Sequence, residues 1–188
     1  MGETARRRVW VDTDVALGAG RGDVDDGFAL AALFGAARAG QVELLGVSTV
    51  TGNTDAGEAA RCAARIAEAC GVSVPLVEGA GASRARSRAG AAIAGLPPGC
   101  AVIALGPLSN LAAAALADPS WPARTSLAVV GGNLSSRGVW PPVWPHEFNF
   151  ARDRAAARRV LGAPWESLTV YPLDVVRRLR CDAGRLGR

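Results

Sequence analysis

Short apolar runs rich in β-branched residues alternate with longer stretches of helical periodicity along this chain. Val9-Trp10-Val11 reads as a strand running into the polar Asp12-Thr13-Asp14. Residues 25–38 (DDGFALAALFGAAR) read as a helix with two acids at the positive end of its dipole. Residues 42–50 form a second strand, and residues 54–69 a helix opened by Thr54 or Asp55 and closed before Gly71. Residues 74–77, 101–105, 126–130 and 168–171 read as further strands. Gly106-Pro107 starts a helix to about Ala117, and residues 152–161 read as another. Residues 80–99, rich in Gly, Ala, Ser and Arg, receive no assignment, and residues 133–146 read as a loop rich in Pro and Trp. Strand–helix alternation of this kind predicts the α/β class: an open, mostly parallel sheet with helices on both faces, a Rossmann-like core, here as one domain over residues 1–188. The strands read as continuous apolar runs, as parallel strands covered on both faces do.

Composition narrows this picture. With 49% hydrophobic and 20% charged residues, the chain is too apolar to stay disordered. Its 188 residues suit one domain, or one and part of another, at roughly 150 residues per domain. Aromatics make only 5%, so the core must close around small side chains. The net charge is +4, and all 21 basic residues are arginine. They are spread along the chain rather than gathered on one face with aromatics between them, which argues against a nucleic-acid partner. Arg6-Arg7-Arg8 reads as a solvated lead-in to the first strand. No apolar run reaches the roughly 18 residues of a membrane span. Residues 1–8 lack the apolar segment of a secretory signal, so a cytoplasmic protein is expected. Cys62, Cys70, Cys100 and Cys181 form no CxxC pair and read as small buried hydrophobes.

The polar residues collect just after the strands, where open α/β sheets bind ligands. Asp12 and Asp14 follow the first strand, Thr51 and Asn53 the second, Ser109 and Asn110 the strand at 101–105, Asn133 that at 126–130, and Asp174 the last. Asp12, Asp14, Asp23, Asp25 and Asp26 fall within a short stretch between one strand and the next helix. Carboxylates gathered so closely repel unless a proton or cation neutralises them, and an all-oxygen set suits Ca²⁺ or Mg²⁺. Glu147-Phe148-Asn149-Phe150, read as extended, would put Glu147 and Asn149 on one face, a carboxylate and an amide suited to vicinal hydroxyls. His146 is the one histidine, too few for a histidine-based metal site. No serine or cysteine has a nucleophile signature, and Gly18-Ala19-Gly20-Arg21-Gly22 lacks the lysine of a Walker A loop.

Together these segments resemble the inosine–uridine nucleoside hydrolase family. The matching pieces are VDTD (11–14) with VDDGFAL (24–30), GVSTVTGN (46–53), ALGPLSNLA (104–112), VVGGN (129–133), EFNFARDRAAA (147–157) and VYPLDV (170–175). They stand in family order over nearly the whole chain. The resemblance implies a nucleoside N-ribohydrolase in which water held by Ca²⁺ attacks the anomeric carbon and releases base and ribose. By motif, Asp14 ligates calcium and takes the proton from the water, Asp26 is a second ligand, and the Leu105 carbonyl completes part of the sphere. Asp25 accepts from a ribose hydroxyl, Asn53, Glu147 and Asn149 contact the sugar, and Asp12 is a buried support. The implied partner is a small-molecule ribonucleoside, with no nucleic acid and no membrane; homo-oligomerisation is left open.

Three departures qualify the implication. The family's DTDPGxDD is interrupted here by VALGAGRGDV (15–24), so the loop must bulge if Asp14 and Asp26 are to share an ion. Trp140-Pro141-Pro142-Val143-Trp144-Pro145 stands where the family has an asparagine, either walling the base pocket or merely packing. The chain also stops at Arg188, whereas family members run on to a further aspartate ligand and, in many, a histidine that protonates the leaving base. The expectation is the N-terminal part of a nucleoside hydrolase, or a shortened relative, with weak calcium binding and little activity. Two rivals stand beside it: a non-catalytic module that binds nucleoside or sugar, and a Mg²⁺-dependent phosphatase of the haloacid-dehalogenase type, which also places DxD after its first strand.

Overall fold

A computed structural model describes residues 6–18, 24–79, 87–134, 147–176 and 178. The chain order is β1 (Arg7–Thr13), α1 (Asp25–Arg38), β2 (Val42–Thr49), α2 (Ala56–Ala69), β3 (Leu76–Glu78), α3 (Arg88–Ala94), β4 (Cys100–Ala104) and α4 (Ser109–Ala117). A 3₁₀ turn (Pro122–Arg124), β5 (Thr125–Val130), α5 (Phe148–Arg152), α6 (Arg154–Leu161), β6 (Ser167–Tyr171) and α7 (Leu173–Val176) follow. The six strands form one sheet in the order β3-β2-β1-β4-β5-β6, every pair parallel. No helix among the described residues is long and apolar enough to cross a membrane.

Alternate residues of each strand feed opposite faces, and two cores result. Val9 and Val11 pack with Val47, Leu30, Phe34, Ala59, Cys62 and Ala63, under α1 and α2. Trp10 points the other way, into a core with Val102, Leu127, Ile93, Leu108, Leu111 and Val160, under α3, α4 and α6. Small residues let the layers close. Gly46 lies beside Trp10 in register, and a Cβ there would sit 2.3 Å from the indole ring. The wholly buried Trp121 meets Trp165 edge-on, ring centroids 4.9 Å apart, while the Trp165 indole N–H donates to the Val160 carbonyl at 2.6 Å. Cys62 and Cys100 are buried as expected, and no disulfide joins the described cysteines.

Several boundaries differ from the sequence reading. The unassigned stretch 80–99 contains α3, started by the Ser87 hydroxyl accepting from Gly90 N at 2.8 Å. The helix after Gly106-Pro107 starts at Ser109. The helix expected at 152–161 starts at Arg154: α5 ends at Arg152, and the Asp153 carboxylate accepts from Ala156 N at 3.0 Å and starts α6. The reading of 147–150 as extended is corrected. Residues 148–152 are helical, and Glu147 is the cap, its two oxygens accepting from Asn149 N (2.6 Å) and Phe150 N (2.8 Å). A side chain that satisfies the free amides of a first turn favours helix over the alternation that the two phenylalanines suggest.

Candidate active site

In the strand order, chain connection reverses direction between β1 and β4, which places the carboxyl end of β1 at the centre of the sheet beside the crevice that such a reversal leaves. Asp12 and Asp14 sit there because VDTD follows the strand directly. Asp14 is 1% exposed, and its Oδ2 accepts from the Asn53 backbone N–H at 2.7 Å. Asp26 arrives from the first turn of α1, is 7% exposed, and accepts from the Thr13 hydroxyl. The same hydroxyl oxygen accepts from Val15 N at 3.1 Å, which turns the chain out of the strand.

The side chains of Asp14 and Asp26 are close neighbours, each acting on the other's ionisation. The interruption at 15–24 therefore does not hold the two acids apart. Burial raises the pKa of both above the ordinary carboxylate range, and each is raised further by neighbouring charge, that of Asp14 on Asp26 above all. Asp25 is exposed beside them, its Oδ1 accepting from Asp26 N at 3.0 Å. Two glycines make room for Asp14: a Cβ on Gly52 would lie 2.0 Å from its Oδ2, and one on Gly106 2.6 Å from its Oδ1.

Asp12 lies beneath this pair, wholly buried, and burial pushes its carboxyl up to about 7 against the pull of its hydrogen bonds. Its Oδ1 accepts from the Ser48 hydroxyl and from the Asn110 amide at 2.9 Å, while its Oδ2 has no partner among the described residues. The Asp12 carbonyl accepts from Leu105 N at 2.8 Å, extending the β1–β4 ladder by one step. The Leu105 carbonyl in turn accepts from the Asn149 side-chain amide at 2.7 Å; the second hydrogen of that amide goes to the Val130 carbonyl at 3.0 Å. α5 is thus clamped over the ends of β4 and β5, with the Phe150 ring against Gly131, where a Cβ would meet it at 2.5 Å.

Asp12, Asp14, Asp25, Asp26, Asn53 and Leu105 accordingly meet at one place, and Asn149 joins them through Leu105. Asn53 enters through its backbone, its side chain being exposed. Glu147 is 7% exposed and occupied as a helix cap. Ser109 is committed elsewhere, donating to Asp153 at 2.7 Å, and Asp174 accepts from Leu134 N at 2.7 Å. Asp23, His146, Cys181 and the Trp140–Pro145 stretch lie outside the described residues, as do residues 19–23 of the interruption. Thr13 and Ser48 are functional neighbours that sequence pattern alone does not mark, although each lies inside a motif, VDTD and GVSTVTGN.

The donor set around Asp14 fits a hard cation in kind: neighbouring buried carboxyl groups whose ionisation burial and mutual charge oppose, with a backbone carbonyl nearby. In number it is small. Among the described residues no group of three or more His, Cys, Asp or Glu side chains is arranged to hold a metal ion.

Comparison with known proteins places the fold. The inosine-uridine preferring nucleoside hydrolase from Bacillus anthracis superposes with a TM-score of 0.72 at 19% identity, covering 95% of this chain and 68% of that one. An inosine-guanosine nucleoside hydrolase gives 0.76 at 18% identity, covering 96% and 66%. A plant nucleoside hydrolase gives 0.72 at 22% identity, covering 92% and 62%. This chain therefore spans about two thirds of the length of these proteins, and at such identities the likeness is one of fold. No curated protein is matched by sequence. The family profile described as inosine-uridine preferring nucleoside hydrolase matches residues 9–187, which sets aside the phosphatase of the haloacid-dehalogenase type. With nearly every residue inside that match, the chain belongs to the inosine-uridine preferring nucleoside hydrolase family.

Proposed function

We propose that this chain hydrolyses the N-glycosidic bond of ribonucleosides to free base and ribose, using Ca²⁺ held by Asp14, Asp26 and the Leu105 carbonyl. The observation that carries the reading is the proximity of two buried carboxyls, Asp14 and Asp26, at the topological switch point of a family member. When bound, the ion lowers the pKa of water beside it. Asp14, fixed by the Asn53 amide, accepts the proton from the attacking water. Asp25, exposed at the rim, accepts from a ribose hydroxyl. Both amide hydrogens of Asn149 are committed, so its Oδ1 is the atom that faces the sugar, as an acceptor. Glu147 retains lone pairs beyond its two cap bonds, and Asn53 completes the sugar side. Positive charge developing on the ribose is stabilised by these carboxylates, which are already in place before the reaction. The reading also carries a cytoplasmic setting and a part in nucleoside salvage. Because no third carboxyl joins Asp14 and Asp26 in a metal-holding group among the described residues, the 188 residues alone are expected to hold calcium weakly and turn over slowly.

The test is ribose release from inosine and from uridine in Ca²⁺ buffer and in EDTA. Slow, Ca²⁺-dependent release is expected, falling by about 10²–10⁴ in Asp14→Asn, the span for loss of a general base. Release equal in the parent and in Asp14→Asn overturns the reading. Calorimetric heat on adding inosine, with no ribose formed, points instead to the binding module without turnover.

A further inference from the structure

We propose that Asn110 is a positioning residue: its side chain ties the Asp12 carboxylate to the end of β2 and so sets where Asp14 and the Leu105 carbonyl point. This inference rests on the function proposed above, but it concerns residues that touch neither sugar nor ion. Asn110 is the second residue of α4 and 1% exposed. Both hydrogens of its amide are spent, one on Asp12 Oδ1 and one on the Thr49 carbonyl, each at 2.9 Å. Its Oδ1 accepts from the Ser87 hydroxyl at 3.3 Å, and that hydroxyl oxygen also caps α3. One side chain thus joins β1, β2, α3 and α4 at the level of the site.

Three observations separate this arrangement from ordinary core filling. The Asp12 carboxylate is held lopsidedly: Oδ1 takes two donors, Ser48 and Asn110, and Oδ2 takes none among the described residues. Ser48 is itself fixed from the far side by the Trp10 indole N–H at 2.9 Å, so the rotation of the carboxylate is determined by a chain of donors ending at Asn110. The chain is also close-fitting: a Cβ on Gly79 would lie 2.1 Å from the Thr49 carbonyl oxygen and 2.6 Å from Asn110 Nδ2, while Gly79 N donates to that same carbonyl at 3.0 Å. Finally, what Asp12 holds by its main chain is the site. Its carbonyl receives Leu105 N, and Val50 N bonds the next carbonyl, that of Thr13, at 3.0 Å, one residue before Asp14. Partners of this kind around metal ligands change affinity by about 10–100-fold when removed.

The experiment compares the parent chain with Asn110→Ala and Ser87→Ala in two readouts. In calorimetric Ca²⁺ titration, Asn110→Ala is expected to weaken affinity by roughly tenfold or more, and Ser87→Ala, which leaves both amide donors in place, by less. In ¹⁵N NMR of the metal-free chain, the Asn53 amide, which donates to Asp14, is expected to shift in Asn110→Ala while the Trp165 indole signal stays in place. The second readout needs neither calcium nor turnover. A failure of the proposed function therefore shows as a parent that takes up no Ca²⁺, whereas a failure of this inference shows as an Asn53 amide unmoved by the substitution. Should Asn110→Ala not fold, the near-isosteric Asn110→Leu, which removes both amide donors while filling the same space, takes its place: a displaced Asn53 signal supports the positioning role, an unmoved one overturns it.

Discussion

At Gly52 the identity of a residue is explained by one neighbour, the carboxyl group of Asp14, and at Gly106 by the same carboxyl together with Val50. Gly52→Ala would bring a methyl group to 2.0 Å from Asp14 Oδ2, so the carboxylate or the 50–53 turn must move. Overpacking of this sort costs about 1–3 kcal/mol, and urea unfolding of Gly52→Ala should show a loss of that size together with a diminished response to Ca²⁺. A wild-type midpoint would mean that the turn yields freely. Charge at a second residue gives a pH prediction. Asp118, outside the site, accepts from the Ser120 hydroxyl and from Arg124, which hold its carboxyl down at about 2 instead of 3.8. A folded-state pKa below the unfolded one adds stability above about pH 4 that is lost as pH falls toward 2. NMR titration should place the Asp118 midpoint near 2, and Asp118→Asn should flatten the acid limb of stability. At this scale the sequence discloses charge better than hydrogen bonding. Five aspartates in a short stretch are conspicuous on their own, whereas Thr13, Ser48 and Asn110 are single polar residues next to apolar runs. Their meaning lies in partners as distant along the chain as the 98 residues between Asn110 and Asp12.

Strands β5 and β6 pair Leu127 with Leu168 across one register position, yet the two residues are 2% and 37% exposed. Leu127→Ala should therefore cost about 2–5 kcal/mol, the range for an enclosed leucine, and Leu168→Ala well under half of that. Chemical denaturation of the two variants checks the difference; equal losses would contradict the packing described for the β5 face. The buried strands were legible because parallel strands covered on both faces must be apolar throughout, as AVIAL and SLAVV are. α3 was not, since its seven residues include alanine, glycine and arginine with little periodicity. α5 is hidden in the sequence because Phe-Asn-Phe imitates a strand, and the deciding interaction is the Glu147 carboxylate folding back on two amides. Glu147→Ala should cost about 1 kcal/mol through the lost cap and loosen the Asn149 clamp on Leu105. Glu147→Gln should retain part of the cap.

For the molecule as a whole, the order β3-β2-β1-β4-β5-β6 makes β1 central, so the first acidic motif is buried between two helical layers while α1 brings the second one back to it. Strand–helix alternation is enough to predict the class of fold, but the meeting of Asp14 with Asp26 depends on where the first turn of α1 lies against the end of β1, which no local pattern encodes. The consequence is a fold that concentrates negative charge where water is excluded. Both carboxyls titrate above the ordinary range in the folded chain, so folding opposes their joint ionisation, and stability held at low pH is lost as pH rises through the folded values. Removing one of the two charges should therefore stabilise the metal-free chain. Asp26→Asn is expected to melt higher than the parent in EDTA at alkaline pH. On the proposed function calcium should reverse the ranking: at 100 times its dissociation constant it adds about 2.7 kcal/mol to the parent by mass action, and little to the variant, which lacks one of the proposed ligands. Thermal melts of both proteins across a Ca²⁺ series measure this crossing directly. A variant that melts lower in EDTA and gains as much from Ca²⁺ as the parent would show that the paired acids neither repel in the metal-free chain nor share the ion.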